Sequence, residues 1–388
     1  MAPTAPDQLR RANTALVVRA LRDGGASSRT ALARRTGLAK ATVGTIVGDL
    51  VERGVLAEGD AAGPAAEGSP GLGRPSRPVD LVPGAVLGLG LEVNVDYVAA
   101  ALVDLAGTQV LTRTREVATG TDALHTLVGL AREVQAGAPG RIVGTHLAVP
   151  GLVERDHATV TLAPNLGWVD SRPGDRLADA LGTAVAVDND ANLAAVAESA
   201  HGAARGARST LYLTGTVGIG GGIVQDGRLV RGAGFAGEVG HMPIGDHTLR
   251  CACGRHGCWE ASVGLRATLA AVGVRAEGTP LERAQQIALR AVADRDVSAA
   301  LEVLGSQLGH GIATLCSVLD PEVIVLGGYF QPLGPWILGP ATEVVARRLP
   351  AVDHHEPQVR VGELGIEAAA LGAAEQALAD VLAGTATL

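Results

Sequence analysis

The sequence predicts two structural parts, an N-terminal winged helix-turn-helix domain and a larger, two-lobed α/β body. Apolar residues at helical spacing, separated by glycine turns, run through the first part of the chain. A stretch rich in Ala, Gly and Pro follows at residues 57–83. Beyond it, apolar strands alternate with helices, beginning with antiparallel hairpins. A chain of 388 residues has room for two or three domains. We therefore assign residues 1–82 to the N-terminal domain and residues 83–388 to the body.

The two parts differ in charge. Apolar residues make up 47% of the chain and aromatic residues only 2%, so the core must be built from Ala, Val, Leu and Ile. The net charge is −8, but residues 1–82 hold 11 Arg and Lys against 8 Asp and Glu, which leaves +3 there and −11 in the body. A basic end on an acidic body indicates a nucleic-acid-binding appendage.

The chain shows no targeting or membrane segment. No apolar run reaches the roughly 18 residues that a membrane helix needs. The short apolar run at residues 15–18 is cut by Arg19 and lacks a signal-peptide cleavage pattern. Four cysteines in the whole chain fit a reducing compartment. We expect a cytoplasmic protein without a membrane partner.

Three helices are expected in the N-terminal domain, at residues 9–21, 29–36 and 40–53. Ser28 can cap the second helix and Gly54 can end the third. Two short helices joined by a glycine turn match helix-turn-helix geometry, in which the second of the pair enters the major groove. Residues 32–43 also resemble winged-helix repressors, whereas a small helical packing or dimerisation module is the alternative interpretation.

The residues expected to contact DNA are small, polar or basic. They are Arg34, Arg35, Lys40, Thr42, Thr45 and Arg74. Residues 57–83 have no periodicity and indicate a wing followed by a linker. Within that stretch, Arg74 fits either a minor-groove contact or a stiff linker, and the sequence does not choose between them.

A cysteine-rich stretch in the body has the spacing His-x9-Cys-x-Cys-x4-Cys, which places one imidazole and three thiols within 18 residues. Zinc takes four nitrogen or sulfur ligands in a tetrahedron, and a site ligated only by protein is structural. Gly254 and Gly257 allow the tight turns that such a site needs. Free thiols beside an unrelated histidine, or a disulfide with one thiol left over, are the alternatives.

The same stretch carries a family resemblance. Gly237-Glu238-Val239-Gly240-His241, followed by Cys-x-Cys-Gly-x-x-Gly-Cys-x-Glu, resembles the signature of the ROK family of sugar kinases and sugar-responsive repressors. The resemblance implies an actin-like, hexokinase-like fold for the body. It implies a zinc ion held by His241, Cys251, Cys253 and Cys258. The fourth cysteine, Cys316, sits in an apolar run and is expected in the core.

The resemblance also implies a sugar site. Its expected residues are Asn165, Asn189, Asp190, Glu238, His241 and Glu260. In a kinase, Asp190 would take a proton from a sugar hydroxyl, and in a sensor the same carboxylate would accept a hydrogen bond from it. A helix cap at Asp188 or Asn189 is the alternative interpretation of this motif.

The phosphate-binding motifs depart from the family pattern. Family kinases carry Asp-x-Gly-Gly-Thr after the first strand, where this chain has Glu92-Val93-Asn94-Val95-Asp96. Side chains replace both glycines and an anion replaces the threonine, so backbone donors are lost and phosphate is repelled. A second loop has Val217 where kinases usually carry Thr, and Gly327-Gly328 resembles the adenosine loop. We expect an intact sugar half and an impaired ATP half.

The hypothesis is a sugar-responsive transcriptional regulator, most simply a repressor, whose partners are operator DNA and a small sugar. Two-fold operators would require a homodimer or homotetramer. One alternative is a ROK sugar kinase that carries a DNA-binding domain, which the first phosphate loop disfavours. Another is a regulator that responds to a protein partner, which the retained sugar-site residues disfavour.

Overall fold

The computed structural model describes residues 5–59, 77–118, 122–216, 218–349 and 356–388. The N-terminal part consists of three helices and three short strands. They are α1 Ala5–Gly24, β1 Ser27–Ser28, α2 Arg29–Thr36, α3 Lys40–Glu52, β2 Leu56–Glu58 and β3 Pro78–Leu81. Ser28 caps α2 as expected, because its Oγ accepts from Ala31 N at 3.1 Å. Ala39 precedes α3 and supplies no side-chain cap.

The three strands form the wing. β3 pairs antiparallel with both β1 and β2, in the order β1-β3-β2. Residues 78–81, within the stretch expected to hold a wing followed by a linker, therefore belong to the wing. Val79 and Leu81 are buried beside Leu32 and Leu50 of the helices, and this burial explains why the segment is a strand. The expected winged helix-turn-helix arrangement is present.

The first lobe of the body, lobe 1, is built on a mixed sheet. Its strands are β4 Val86–Val93, β5 Tyr97–Asp104, β6 Gln109–Glu116, β7 Arg141–Val149, β8 Leu152–Val153, β9 Val160–Ala163, β10 Trp168–Ser171 and β11 Val185–Asn189. Two helices, α4 Ala123–Ala136 and α5 Pro173–Leu181, also belong to this lobe. Five strands lie in the order β11-β7-β4-β5-β6, and β8 to β10 form a small separate sheet. Every residue of β4 is buried, as expected for a central strand.

The second lobe, lobe 2, repeats the plan. Its elements are α6 Asp190–His201, β12 Ser209–Gly215, β13 Ile219–Gln225, β14 Arg228–Leu229, α7 Trp259–Val263, α8 Leu265–Val272, α9 Pro280–Ala293, α10 Arg295–Leu319, β15 Val323–Gly328, α11 Phe330–Arg348 and β16 Gln358–Val361. The sheet order is β14-β13-β12-β15-β16. The two lobes together give the expected two-lobed, actin-like and hexokinase-like body.

The long helix α10 of lobe 2 begins at Arg295, because Asp294 caps it by accepting from the amides of Asp296 and Val297. An Asp before a helix is a frequent cap, so the local signal for this start is present in the sequence.

The chain returns to lobe 1 at its end, in α12 Ala368–Ala377 and α13 Ala379–Ala383. Helix α12 packs on β4, β5 and β7, and its other side packs on α6. The winged helix rests on this C-terminal segment. Leu21 of α1 shares an apolar cluster with Leu378 and Val381, and Arg19 donates to Leu382 O at 2.8 Å. Among the described helices, none is long and apolar enough to cross a membrane.

Candidate functional site

Four metal-binding side chains gather where the sequence motif predicts. His241, Cys251, Cys253 and Cys258 offer one nitrogen and three sulfurs, which all lie within 4.8 Å of one another. His241 Nδ1 is 3.8 Å from Cys251 Sγ, and Cys253 Sγ is 3.6 Å from Cys258 Sγ. Two sulfurs on one tetrahedral zinc, each bonded at about 2.3 Å, lie about 3.8 Å apart. The cluster could therefore hold a metal ion.

Tight turns bring these thiols together. Gly254 and Gly257 have φ angles of 88° and 75°, a left-handed conformation that favours glycine. Cys251 N donates to Arg255 O at 2.8 Å, which closes the loop around Cys253. All four cysteines of the chain are free thiols, so the structure contains no disulfide there. Cys316 is buried in lobe 2, as expected of a core residue.

Two carboxylates connect this cluster to the cleft between the lobes. The second ring nitrogen of His241, Nε2, lies 4.0 Å from Glu238 Oε2. Glu260 Oε2 accepts from Ile219 N at 2.9 Å, while its Oε1 lies 3.6 Å from Cys251 Sγ. Burial raises the pKa of Glu238, and Glu260 raises it further, although His241 opposes them. The cysteine loop thus contacts Glu260 and, through His241, Glu238, which lines a cavity between the lobes.

A small cavity of about 270 Å³ lies beside these carboxylates. It is lined by Glu238 of lobe 2 and by Asp188 and Asn189 at the end of β11. Arg231, which the sequence analysis did not single out, also lines this cavity. Its Nε donates to Asp188 Oδ2 at 2.8 Å. No local feature of the sequence predicts this contact, because the two residues lie 43 positions apart and meet only through the fold. The pair joins the two lobes.

The helix cap in the Asp-Asn-Asp motif is Asn189. Its Oδ1 accepts from Asn192 N at 3.1 Å, and its Nδ2 donates to Gly151 O at 3.0 Å. The alternative interpretation of the motif as a cap is therefore correct for this residue. Asp190 is the first residue of α6, and its Oδ1 accepts only the short-range bond from Ala191 N at 2.9 Å.

Asp190 opens instead onto a larger interlobe cavity of about 800 Å³. Removal from water raises the pKa of Asp190 to about 7, and the charge of Glu238 adds to the shift. A carboxyl with such a pKa can both accept a hydroxyl proton and release it near neutral pH. The same cavity is lined by Glu92 and Tyr97 of lobe 1 and by Thr216 of lobe 2.

The residues that replace the family's phosphate loop form a closed turn at the end of β4. Asn94 N donates to Tyr97 O at 2.9 Å, and Asn94 Oδ1 accepts from Val95 N at 2.8 Å. Glu92 is 2% exposed, and its carboxyl accepts from Tyr97 Oη and from Ala370 N. Burial raises the pKa of Glu92 to about 8. The amides of Asn94 and Val95 are thus hydrogen-bonded within the protein and are not free to bind a phosphate.

Two other predicted residues lie elsewhere. Asn165 is exposed on a 3-10 helix, Pro164–Leu166, and lines neither of the two cavities. The other predicted sugar-site residues are also divided. Asn189 and Glu238 line the smaller cavity, Asp190 lines the larger one, and His241 and Glu260 line neither. Val217 of the second phosphate loop lies outside the described residues.

The predicted DNA-contacting residues cluster on α2 and the start of α3. Arg34, Arg35, Lys40 and Thr45 are exposed, and Thr42 is half-buried. Arg35 already donates one hydrogen bond within the protein, to Ser27 Oγ at 3.3 Å. Within the described part of the chain, Arg34 and Lys40 have no hydrogen bond or ion pair, whereas Arg29 pairs with Glu58. Arg74 lies outside that part.

Comparison with known proteins agrees with this architecture. Residues 88–380 match the ROK family. The xylose repressor of Caldicellulosiruptor bescii is 28% identical over 96% of this chain and 97% of its own length. A glucokinase of Streptomyces coelicolor is 31% identical over 75% of this chain and 97% of its own length. The crystal structure of a ROK family transcriptional regulator, a homologue of the E. coli Mlc protein, has a TM-score of 0.80. The match covers 97% of this chain and 98% of that chain. At 24% identity it shows that the two proteins share a fold. The chain belongs to the ROK family.

Proposed function

We propose that this ROK protein is a transcriptional repressor that binds operator DNA through residues 1–82 and releases it in response to a sugar bound between its lobes. The observation that carries the proposal is the winged helix-turn-helix that shares an apolar core with a ROK body. A repressor relative matches this chain almost end to end, whereas a glucokinase relative leaves a quarter of it unmatched. The DNA-binding element is thus part of the matched architecture.

The exposed cations of α2 and α3 support DNA binding. Arg34 and Lys40 are unpaired among the described residues, so both can approach phosphates without breaking an existing ion pair. Small side chains at the start of α3, including Thr42 and Thr45, allow close approach to base edges. A two-fold operator would be bound by a homodimer or homotetramer, in which two copies of α3 occupy successive major grooves.

The acidic cleft supports a neutral, hydroxyl-rich effector. Asp190, Glu238 and Glu260 lie close enough to affect one another's charge, as the raised pKa values of Asp190 and Glu238 indicate. Carboxylates accept hydrogen bonds from sugar hydroxyls and disfavour an uncompensated anion. We assign sugar contacts to these residues together with His241 and Asn189. Asn165 would join them only after a movement of its loop.

The cysteine cluster fits zinc. One imidazole nitrogen and three thiols form the donor set of a structural zinc site, and the distances among them are compatible with a tetrahedron. When bound, the ion would hold His241, Cys251, Cys253 and Cys258 and so keep the loop folded. Its contribution is mechanical, because the loop holds Glu260 against Ile219 and the His241 ring beside Glu238, which lines the smaller cavity.

A kinase is the second candidate, since Asp190 has the burial and pKa of a general base. The phosphate side of the cleft argues against it. Asn94 and Val95 stand where family kinases place glycines, and both their amides are already hydrogen-bonded within a closed turn. We therefore assign binding of the sugar, without phosphorylation, to this cleft.

The proposal is tested by DNA selection followed by titration. Full-length protein is first used to select duplexes from a random library. The selected duplex is then labelled, and its affinity for the protein is measured by fluorescence anisotropy with and without sugars. D-xylose is the first sugar to test because close relatives are named xylose repressors, and D-glucose is the second. We expect selection of a specific duplex whose affinity falls when sugar is added. Failure to select any sequence, or an affinity indifferent to all common monosaccharides, would overturn the proposal.

A further inference from the structure

One buried carboxylate receives side chains from three separate parts of the molecule. Glu375 of α12 is 7% exposed, and Arg22 Nη2 of helix α1 lies 2.7 Å from both its oxygens. His201 Nε2 at the end of α6 lies 2.7 Å from Glu375 Oε1. We call Arg22, Glu375 and His201 the junction.

Each residue of the junction belongs to a different part of the molecule. Arg22 is on the first helix of the DNA-binding domain. Glu375 is on α12, which packs on the sheet of lobe 1. His201 is on α6, which packs on β12 and β13 of lobe 2. Domain and lobe motions in proteins are largely rigid-body, so a rotation of the lobes must alter contacts at such a point.

The helices α6 and α12 approach each other closely at Gly372. A Cβ on Gly372 of α12 would lie 1.7 Å from Leu193 O of α6, so only glycine permits this approach. Because α12 packs on the sheet of lobe 1 and α6 on that of lobe 2, a rotation between the lobes would shift one helix against the other. His201 lies two turns beyond Leu193 on α6, and it is displaced relative to Glu375 when the helices rotate.

The other end of α6 is the sugar-binding end. The helix begins at Asp190 in the interlobe cavity and ends at His201 in the junction, and Asn189 caps its start. A ligand held by Asp190 and by residues of both lobes favours one lobe arrangement by its difference in affinity for the two. Helix α6 is therefore a rigid connection from the cleft to the carboxylate that holds the DNA-binding helix.

The electrostatics make the junction sensitive to such a displacement. Burial raises the pKa of Glu375, but the close contact with His201 and the charge of Arg22 outweigh it, so its pKa is lowered overall. A buried charge is stable only while its partners stay in place. Arg22 has one further acceptor, Leu105 O at 3.4 Å, which belongs to lobe 1. Movement of His201 therefore changes how firmly α1 is held.

We infer that the junction of Arg22, Glu375 and His201 transmits sugar occupancy of the cleft to the DNA-binding domain. The three are positioning residues that touch neither sugar nor DNA. This inference rests on the proposed function, since it concerns the route by which sugar changes operator affinity. It predicts that the two binding activities can be uncoupled without abolishing either.

The test uses full-length His201→Gln and Glu375→Gln proteins with the duplex selected by the wild type and with D-xylose or D-glucose as the probe. Coupled sites typically change each other's affinity about 5- to 150-fold, and we expect both variants to lower this ratio to about twofold or less. Sugar affinity measured by calorimetry on the free proteins should stay within about threefold of wild type, since no junction residue contacts the cleft. His201→Gln retains the Arg22–Glu375 pair, so its sugar-free affinity for the duplex should match the wild type.

Glu133→Gln is the matched control. Glu133 pairs with Arg115 at 2.8 Å on the exposed face of lobe 1, so the same chemical change there should leave the ratio unchanged. Melting curves establish folding, and His201→Gln decides the question if Glu375→Gln does not fold. A wild-type ratio in folded His201→Gln would overturn the junction alone. A wild-type protein whose DNA affinity ignores every sugar would overturn the proposed function and the junction with it.

Discussion

The hydroxyl of Tyr97 donates to the buried carboxyl of Glu92 at 2.5 Å, across the turn that stands in place of a phosphate loop. The second oxygen of that carboxyl accepts from Ala370 N at 3.2 Å, at the start of α12. The carboxyl at the position of the family's Asp thus links β4 to the C-terminal helix α12.

Stability should fall with rising pH, and Glu92→Gln should reduce the fall. Burial raises the pKa of Glu92 from 4.5 to about 8, so the folded protein keeps a proton that the unfolded chain releases. Stability from this group is therefore greatest below pH 4.5 and is lost progressively as pH rises to about 8. Gln can accept from Ala370 N and donate to Tyr97 Oη without titrating. Melting temperatures across this range should fall less steeply in the variant, with a residual slope from Asp190. Identical slopes would contradict the assignment.

The protein should not phosphorylate sugars. The turn at residues 92–97 uses its own amides and places Asp96 beside the cavity, so a triphosphate loses donors and meets a like charge. Incubation with ATP, magnesium and a panel of hexoses should give no sugar phosphate, with a ROK glucokinase as the positive control. Turnover on the order of 1 per second or faster, an ordinary enzyme rate, would make the kinase interpretation correct.

Purified protein should contain one zinc per chain. Cys258→Ser should lose the metal and lower the melting temperature, because a structural site contributes its binding energy to folding. Cys316→Ser is the control, since Cys316 is buried in lobe 2 and is not one of the four clustered residues. Metal analysis by plasma emission measures the content. Full zinc retention by a variant lacking Cys251, Cys253 and Cys258 would rule the site out.

DNA affinity should depend on salt and on the unpaired cations of the winged helix. Lys40→Ala and Arg34→Ala should each weaken binding and reduce the salt slope by about 1 if the side chain contacts a phosphate. Arg113→Ala, an exposed arginine on β6 of lobe 1, should change neither quantity. Anisotropy titrations at several salt concentrations supply both values. Unchanged specific binding after deletion of residues 1–56 would show that the N-terminal domain does not recognise the DNA sequence.

Sugar sensing should depend on Asp190. Asp190→Asn keeps the shape but loses the charged acceptor, which costs roughly 1.5–3 kcal/mol, or about ten- to a hundredfold in sugar affinity. Calorimetry is best done above pH 7, because the pKa of Asp190 is about 7. Operator affinity without sugar should hardly change. Asp179→Asn, at an exposed position on α5, is the control. Normal sugar affinity with a lowered melting temperature would remove Asp190 from the sensor.

Local features of the fold were predictable because their causes lie within a few residues. The second helix runs from Arg29 to Thr36 as expected, since Ser28 caps it and Gly37 adopts the left-handed conformation that ends it. The four metal-binding residues also come together as predicted, because 18 residues with two glycine turns can reach one centre. The departure from the phosphate-loop motif was also predictable, because its five residues, 92–96, are consecutive in the chain.

Other features depended on which distant segments meet. The sequence does not indicate that residues 78–81 pair with both β1 and β2, or that Arg231 reaches Asp188. It also left open which residue of the Asp-Asn-Asp motif is the cap. That choice follows from the position of Gly151 O beside Asn189, which leaves the next side chain facing the interlobe cavity.

The sequence alone indicated the family and the gathering of four potential metal ligands, because each rests on short-range spacing. Only the tertiary structure decided that Arg22 and Glu375, 353 positions apart, share a buried contact with His201. Such a contact has no local signature. It forms because the packing of α1 on the C-terminal helices and of α12 on α6 removes three charged or polar groups from water together, and each is then stabilised by the others.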